Sequence, residues 1–502
     1  MSVPTLPPRT LLATLAKLGP GMIIAGSIVG SGELIATTKV GAEAGFWLLW
    51  LIVAGCIIKV FTQVEMGRYT ITWGETPLEA LNKVPGPRWK VNWVVWYWAV
   101  MTLLIVTQQG GIVGGVGQAL AISRPLTEQG TLYNEVQNER VRAQVDLAMA
   151  TGDVTRDITA AQQRYDESIA RTELVAPAND AYLWATIVAV VTSILMYFGR
   201  FGLIQAVSTI LVVLFTLVTV LTVVMLQFTD WAVTSAELAN GFRFSLPPAT
   251  VSATASAGIN PMITALAAFG IIGMGAGELL MYPYWCLEKG YARSTGPRDA
   301  SPQWLERARG WIRVLQLDAW LSAVVYTFAT VAFYLLGAAV LWRTGLNPAG
   351  GDMVRTLAEM YVPVFGTWSH GVFLFGAFAV LYSTFFVVAA GYSRLVADGL
   401  GLFGFHDGTE ATRMRWTKWI SCIWPFLALG TYLFFQAPVA MVLASGVAQA
   451  VMLPMLGIAA LFFRYRRTDE RLKPGRFWDV MLWISCLGFA VVAGWSLYNT
   501  LA

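Results

Sequence analysis

Gly30-Ser31-Gly32-Glu33-Leu34-Ile35 decides the fold, because it returns as Gly275-Ala276-Gly277-Glu278-Leu279-Leu280. Both copies fall in the middle of an apolar block, and both follow a proline-containing start, Gly19-Pro20-Gly21 and Asn260-Pro261. Two glycines around a small residue weaken a helix and permit sharp backbone departures. Inside a bilayer such a departure survives only where it lines a cavity or faces protein. A glutamate placed there costs at least ~2.5–3.5 kcal/mol. That cost at two matched positions points to function. Glu33 and Glu278, with freed carbonyls near Gly30, Ser31, Gly275 and Ala276, are expected to make an oxygen-only cation site at mid-membrane. The plainer reading is a packing motif whose glutamates are tied to a buried base, for which Lys59 is available.

The rest of the chain supplies the membrane. Of 502 residues 56% are hydrophobic and 13% charged, with 21 Trp and 47 Gly. The mean hydropathy is +0.59. Soluble proteins carry about 25% charge, so a soluble enzyme, a disordered regulator and a nucleic-acid binder are excluded. The apolar residues come in blocks of about 20 or more rather than in alternation, which gives helical spans and not a barrel. Eleven blocks are expected, at 19–38, 46–66, 92–122, 181–199, 203–228, 258–285, 312–342, 370–393, 416–436, 438–463 and 477–501. Trp and Tyr gather at block ends, as at membrane interfaces. The four cysteines lie in apolar blocks without paired spacing, and the two histidines, His370 and His406, lie at or beyond block ends. A disulfide framework and a histidine metal site within the membrane are thereby excluded. No cleavable leader is expected, because the first block continues as a full span.

Basic residues set the orientation. With the N-terminus in the cytoplasm, 23 of the 34 Lys and Arg fall on the inner side. The densest runs are 289–313 and 464–476. This predicts a multi-pass protein of the cell (inner) membrane, N-terminus inside and C-terminus outside. The organisation expected is spans 1–3 in 1–122, an extracytoplasmic insertion in 123–180, and spans 4–11 in 181–502, as one transmembrane domain. The insertion holds ten acids and six bases. It reads as a helical hairpin, 128–149 and 154–174, turning at Thr151-Gly152-Asp153 between Pro125 and Pro177. A solvated hairpin and a docking element for an extracytoplasmic partner are both open. With the N-terminus inside, span 1 runs outward and span 6 inward. Spans 1–5 and 6–10 are then related by inverted topology, as in many secondary transporters.

The same residues resemble a known family. Leu18-Gly19-Pro20-Gly21, the Gly30–Glu33 motif, Phe61-Thr62-Gln63 and Trp73-Gly74-Glu75-Thr76-Pro77-Leu78-Glu79 look like the opening of the Nramp divalent-metal transporters. Gly117-Gln118-Ala119-Leu120, Gly199-Arg200-Phe201-Gly202 and Leu317-Asp318 fit it too. The resemblance implies a LeuT-like, all-α fold with a 5+5 inverted repeat and broken helices 1 and 6. The departures are informative. The family has Asp-Pro-Gly-Asn where this chain has Gly30–Glu33, and Met-Pro-His-Asn where it has Gly275–Glu278. The family's Met position is Gly275 or Ala276, and its His is Gly277. Its acidic proton-path residues of span 3 fall at Gly111 and Gly114. This pattern resembles the Nramp-related magnesium transporters.

Ligand chemistry points the same way. Sulfur and imidazole, which suit transition metals, are missing from both motifs, whereas Mg²⁺ prefers oxygen and keeps several waters. Small residues in place of Asp, Met and His are expected to leave room for a hydrated ion. The expected function is transport of hard divalent cations, Mg²⁺ or Mn²⁺, as substrate rather than cofactor, without proton coupling. A conventional proton-coupled Nramp carrier of Mn²⁺ or Fe²⁺, and an amino-acid or amine transporter on the same fold, are the alternatives. A membrane enzyme lacks its motifs. Of the remaining residues, Lys59 snorkels to the cytoplasm, pairs with an acid such as Asp318 or Glu65, or serves transport directly. Asp318 reads as a salt-bridge partner of Arg313. Gln108, Gln109 and Gln118 either line a wet passage or link helices. Gln449 stands where it can reach a substrate, although the family's Gln aligns nearer Gly446.

Overall fold

In the computed structural model the described residues are 5–8, 10–152, 157–199, 201–248, 260–299 and 301–501. Asp153 of the hairpin turn, Arg200 of the span 4–5 turn and the first two residues of the 258–285 block lie outside them. Eleven helices among the described residues are long and apolar enough to cross a membrane. They are span 1 (Pro20–Ala44), span 2 (Leu49–Trp73), span 3 (Trp93–Ser123), span 4 (Asp180–Tyr197), span 5 (Thr209–Leu226), span 6 (Pro261–Glu288), span 7 (Pro302–Trp342), span 8 (Ser369–Leu402), span 9 (Glu410–Phe435), span 10 (Pro438–Arg467) and span 11 (Arg476–Asn499). Each falls on an expected block. The one β pairing among the described residues is a two-residue antiparallel ribbon, Arg88–Trp89 with Val91–Asn92, between spans 2 and 3.

Spans 1 and 6 form the centre. Their apolar stretches are 89% and 94% buried, against 33% for spans 4, 5 and 9. Small residues let backbones meet around them, as is usual for helices in lipid. A Cβ on Gly270 of span 6 would lie 2.7 Å from Ala450 N of span 10. One on Gly41 of span 1 would lie 2.9 Å from Ala338 N of span 7. Close approach through these glycines brings spans 7 and 10 against the two repeated motifs.

The two motifs depart from α-helix differently. Span 6 is interrupted. One half-helix, Pro261–Ile271, ends where Gly273 takes φ +56, and a second, Ala276–Glu288, starts after Gly275. Span 1 is continuous, and its motif lies in a π-helix, Val29–Thr37, between α-helical ends. The expected unwinding of helix 1 therefore takes the form of a wider turn. The hydroxyls of Thr37 and Thr38 follow the same five-residue step, donating to Gly32 O at 2.9 Å and Glu33 O at 3.3 Å. A π-helix keeps its backbone paired, which lipid demands, and such bulges mark functional sites.

The insertion is a hairpin of Glu128–Gly152 and Ile158–Leu174. Asp180 ties its base by accepting from the amides of Leu126 at 2.5 Å and Thr127 at 3.1 Å. Its first helix rests on the segment between spans 7 and 8. Arg140 pairs with Asp352 at 2.6 Å, Arg355 donates to Asn134 and Asn138, and Gln144 donates to Gly345 O at 3.1 Å. The same segment is held from span 3 by Gln118, which donates to Gly350 O at 2.9 Å.

Candidate metal site

Glu33 is fully buried. Its Oε1 accepts from Gly273 N–H at 3.1 Å, in the break of span 6, and from Thr330 Oγ1 of span 7 at 2.8 Å. Its Oε2 has no hydrogen-bond partner among the described residues. A buried carboxylate oxygen left unpaired is costly, and it is the atom a cation would satisfy. Glu278 is 7% exposed and sits in the first turn of Ala276–Glu288, where the helix dipole favours a negative charge. Its carboxylate turns back toward Gly275. The two glutamates thus face the same short break, from Ile272 to Gly275.

A chain of side-chain amides joins the two motifs. Gln108 of span 3 donates to Ser31 Oγ at 3.0 Å, and its carbonyl accepts from Ser445 Oγ at 3.1 Å and Gln449 Nε2 at 2.8 Å. Gln449 in turn accepts from Gly277 N–H at 3.1 Å. Ser31, Gln108, Ser445, Gln449 and Gly277 are all buried. Gln108 therefore links helices at the site itself, and Gln118 links them at the span 7–8 segment. Gln109 is buried with no partner for its amide among the described residues.

Four backbone expectations are corrected. Gly275 O accepts from Leu279 N–H at 2.9 Å, and Ala276 begins the half-helix, so neither offers an idle carbonyl. The reason is polarity, because a helix start leaves N–H groups unpaired and not carbonyls. Gly30 and Ser31 lie within the π-helix, whose ladder takes up their backbone. Gly30 N–H also donates to Thr384 Oγ1 at 3.1 Å. What Ser31 offers is its hydroxyl.

Neighbouring side chains close in on the glycines of both motifs. A Cβ on Gly30 would lie 2.8 Å from Thr384 Cβ, one on Gly277 2.6 Å from Tyr392 OH, and one on Gly275 2.8 Å from Gln449 Oε1. Close packing draws neighbouring side chains into the volume that larger residues would take. Thr330, Thr384 and Tyr392 carry no signal in sequence. Each is a polar residue in a long apolar span, brought in only by packing.

Lys59 neither snorkels nor pairs with Asp318 or Glu65. Its ammonium donates to Phe269 O and, at 2.7 Å, to Ile272 O. Asp318 pairs with no arginine among the described residues either. Its two oxygens accept from Gly19 N–H at 2.9 Å and Gly21 N–H at 2.6 Å, which caps the start of span 1. Glu65 is taken by Arg68 at 3.2 Å and Trp478 Nε1 at 2.6 Å. Among the described residues no group of three or more His, Cys, Asp or Glu is placed to hold a metal. A site at the break therefore rests on two carboxylates and neutral oxygens.

The family described as natural resistance-associated macrophage protein-like, Nramp, matches residues 169–499. The chain belongs to the Nramp family. Solved structures of similar fold include mutants of the Eremococcus coleocola manganese transporter. One such mutant gives a TM-score of 0.57 at 14% identity, over 98% of this chain and 88% of that one. The structure of MhsT in complex with L-phenylalanine gives a TM-score of 0.56 at 16% identity, over 94% of this chain and 97% of that one. No curated protein matches the sequence. The LeuT-like inverted-repeat architecture is common to both neighbours, and this Nramp chain shares it.

Proposed function

We propose that this Nramp-family transporter of divalent metal carries Mg²⁺, with Mn²⁺ as competitor, and holds the ion between Glu33 and Glu278. The observation that carries the reading is the Glu33 carboxylate. One oxygen is fixed by Gly273 and Thr330, and the other is buried and unpaired. Donor chemistry supports the choice of ion. Neither motif carries a thioether or an imidazole, and the buried thioether of Met274 stands in the break just before the second. The motifs give soft metals no sulfur or imidazole to favour them, while Mg²⁺ binds through one or two carboxylates and keeps its waters. The N-terminus lies in the cytoplasm and the C-terminus outside, on the positive-inside rule. The amino-acid alternative needs a free helix start for a carboxylate, and here that start carries Glu278.

Mg²⁺ uptake into liposomes containing the purified protein tests the reading. Glu33→Gln keeps the acceptor for Gly273 and Thr330 but removes the charge, and Glu278→Gln removes the second charge. Each is expected to lower uptake to the level of empty liposomes while eluting as folded protein. Wild-type rates in both variants would sink the assignment.

A further inference from the structure

Span 2 carries a base, Lys59, near its middle. Lys59 is fully buried, and its ammonium stands 4.7 Å from the centre of the Phe269 ring, over the two carbonyls it binds. Phe269 O and Ile272 O belong to the end of the first half of span 6, the negative pole of that half-helix. Ile272 O belongs to the same peptide unit as the Gly273 N–H that donates to Glu33, so one peptide joins Lys59 to the site. A glutamine could satisfy two carbonyls without a buried charge, and a buried charge in a membrane is costly. The charge itself therefore needs a role.

We infer that Lys59 is a tethered cation of the metal site, which fills the carbonyl pole of the broken sixth span and leaves the substrate ion to Glu33, Glu278 and its own water. The inference rests on the two-glutamate reading above. Two carboxylates and one ammonium sum to −1 before the ion arrives and to +1 with a divalent ion in place. The fixed positive charge weakens the hold on the ion, which suits a substrate that must leave again. It also denies the ion two carbonyls. Ca²⁺ seeks six to eight oxygens and loses by this, whereas Mg²⁺ retains waters in their stead. Lys59 is thus a positioning and specificity-determining residue rather than a ligand.

Calorimetric titration of Mg²⁺ and Ca²⁺ into purified wild type, Lys59→Met, Lys59→Gln, Lys59→Arg and Glu33→Gln tests this. Removing the charge is expected to tighten both ions at least about tenfold, with the larger gain for Ca²⁺ in Lys59→Met, which frees the two carbonyls. Lys59→Arg should bind as the wild type does. Lys59→Gln keeps N–H donors for Phe269 O and Ile272 O, so it decides the matter if Lys59→Met does not fold. Unchanged or weaker binding in Lys59→Gln overturns the inference, as does tightening in Lys59→Arg equal to that in Lys59→Gln. Undiminished Mg²⁺ binding in Glu33→Gln would remove the metal site itself, a result read independently of Lys59.

Discussion

Single side chains here reach across hundreds of residues. Asp318 of span 7 accepts from Gly19 and Gly21 N–H and from Tyr282 OH at 3.1 Å, so one carboxylate closes the start of span 1 and fastens it to spans 6 and 7. Replacing it with alanine strands two backbone donors. The expected loss is about 1–3 kcal/mol of stability, seen as a lower melting temperature in detergent. Asp318→Asn should lose less, because its amide oxygen still accepts one of the two. Equal melting of all three proteins would show that the cap contributes nothing. Gln108 is tested in the same way. Gln108→Leu leaves Ser31, Ser445 and Gln449 without their shared partner, and is expected to lower both melting temperature and Mg²⁺ uptake. At this scale the sequence revealed Glu33 and Glu278, because charged residues in apolar blocks are conspicuous by their cost. It did not reveal their partners. Lys59 and Asp318 were visible as charges, but their bonds run to backbone carbonyls and amides, and every residue has those.

At the scale of elements, the hairpin Glu128–Gly152 and Ile158–Leu174 is a clamp on the segment between spans 7 and 8. The Arg140–Asp352 pair is part-exposed, at 33% and 20%, so it contributes at most about 1 kcal/mol. Arg355 matters more, being 4% exposed. Burial pulls its pKa below the usual value, and Asp352 opposes this. Asn134 and Asn138 supply its other acceptors. Replacing both asparagines with alanine leaves a buried guanidinium underpaired. The expected result is faster amide exchange over 128–150 and 350–358, with spans 1 and 6 unchanged. Protection equal to wild type would show that the clamp does not depend on these bonds. Element boundaries were legible because span length is set by bilayer thickness, and all eleven blocks appear as helices. The form of each departure was not. Two near-identical motifs give a π-helix in span 1 and a break in span 6, and their backbones meet different side chains: Gly30 N–H donates to Thr384 in the one, and Ile272 O accepts from Lys59 in the other.

The charge distribution of the whole molecule bears on coupling. Its two histidines both lie away from the break. His370 meets Glu359 at 3.0 Å at the start of span 8, and His406 meets Ala397 O at 2.8 Å beyond the end of that span. Gly111 and Gly114 of span 3, where the resemblance sets the family's proton-path acids, pack against Val442 and Tyr432 of spans 10 and 9. No imidazole and no span 3 carboxylate therefore connects the site to either surface. Ion movement should carry the two charges of Mg²⁺ and nothing else. In liposomes held at an inside-negative potential, Mg²⁺ uptake is expected to speed up while a pH-sensitive dye inside stays constant. The acidic variant Gly114→Asp would meet the Tyr432 ring, 2.5 Å from where its Cβ would stand, so restoring one family residue alone should disturb packing without restoring a relay. Acidification that tracks Mg²⁺ uptake in the wild type would point to Glu33 or Glu278 as the proton carrier and return the protein to a proton-coupled Nramp mechanism.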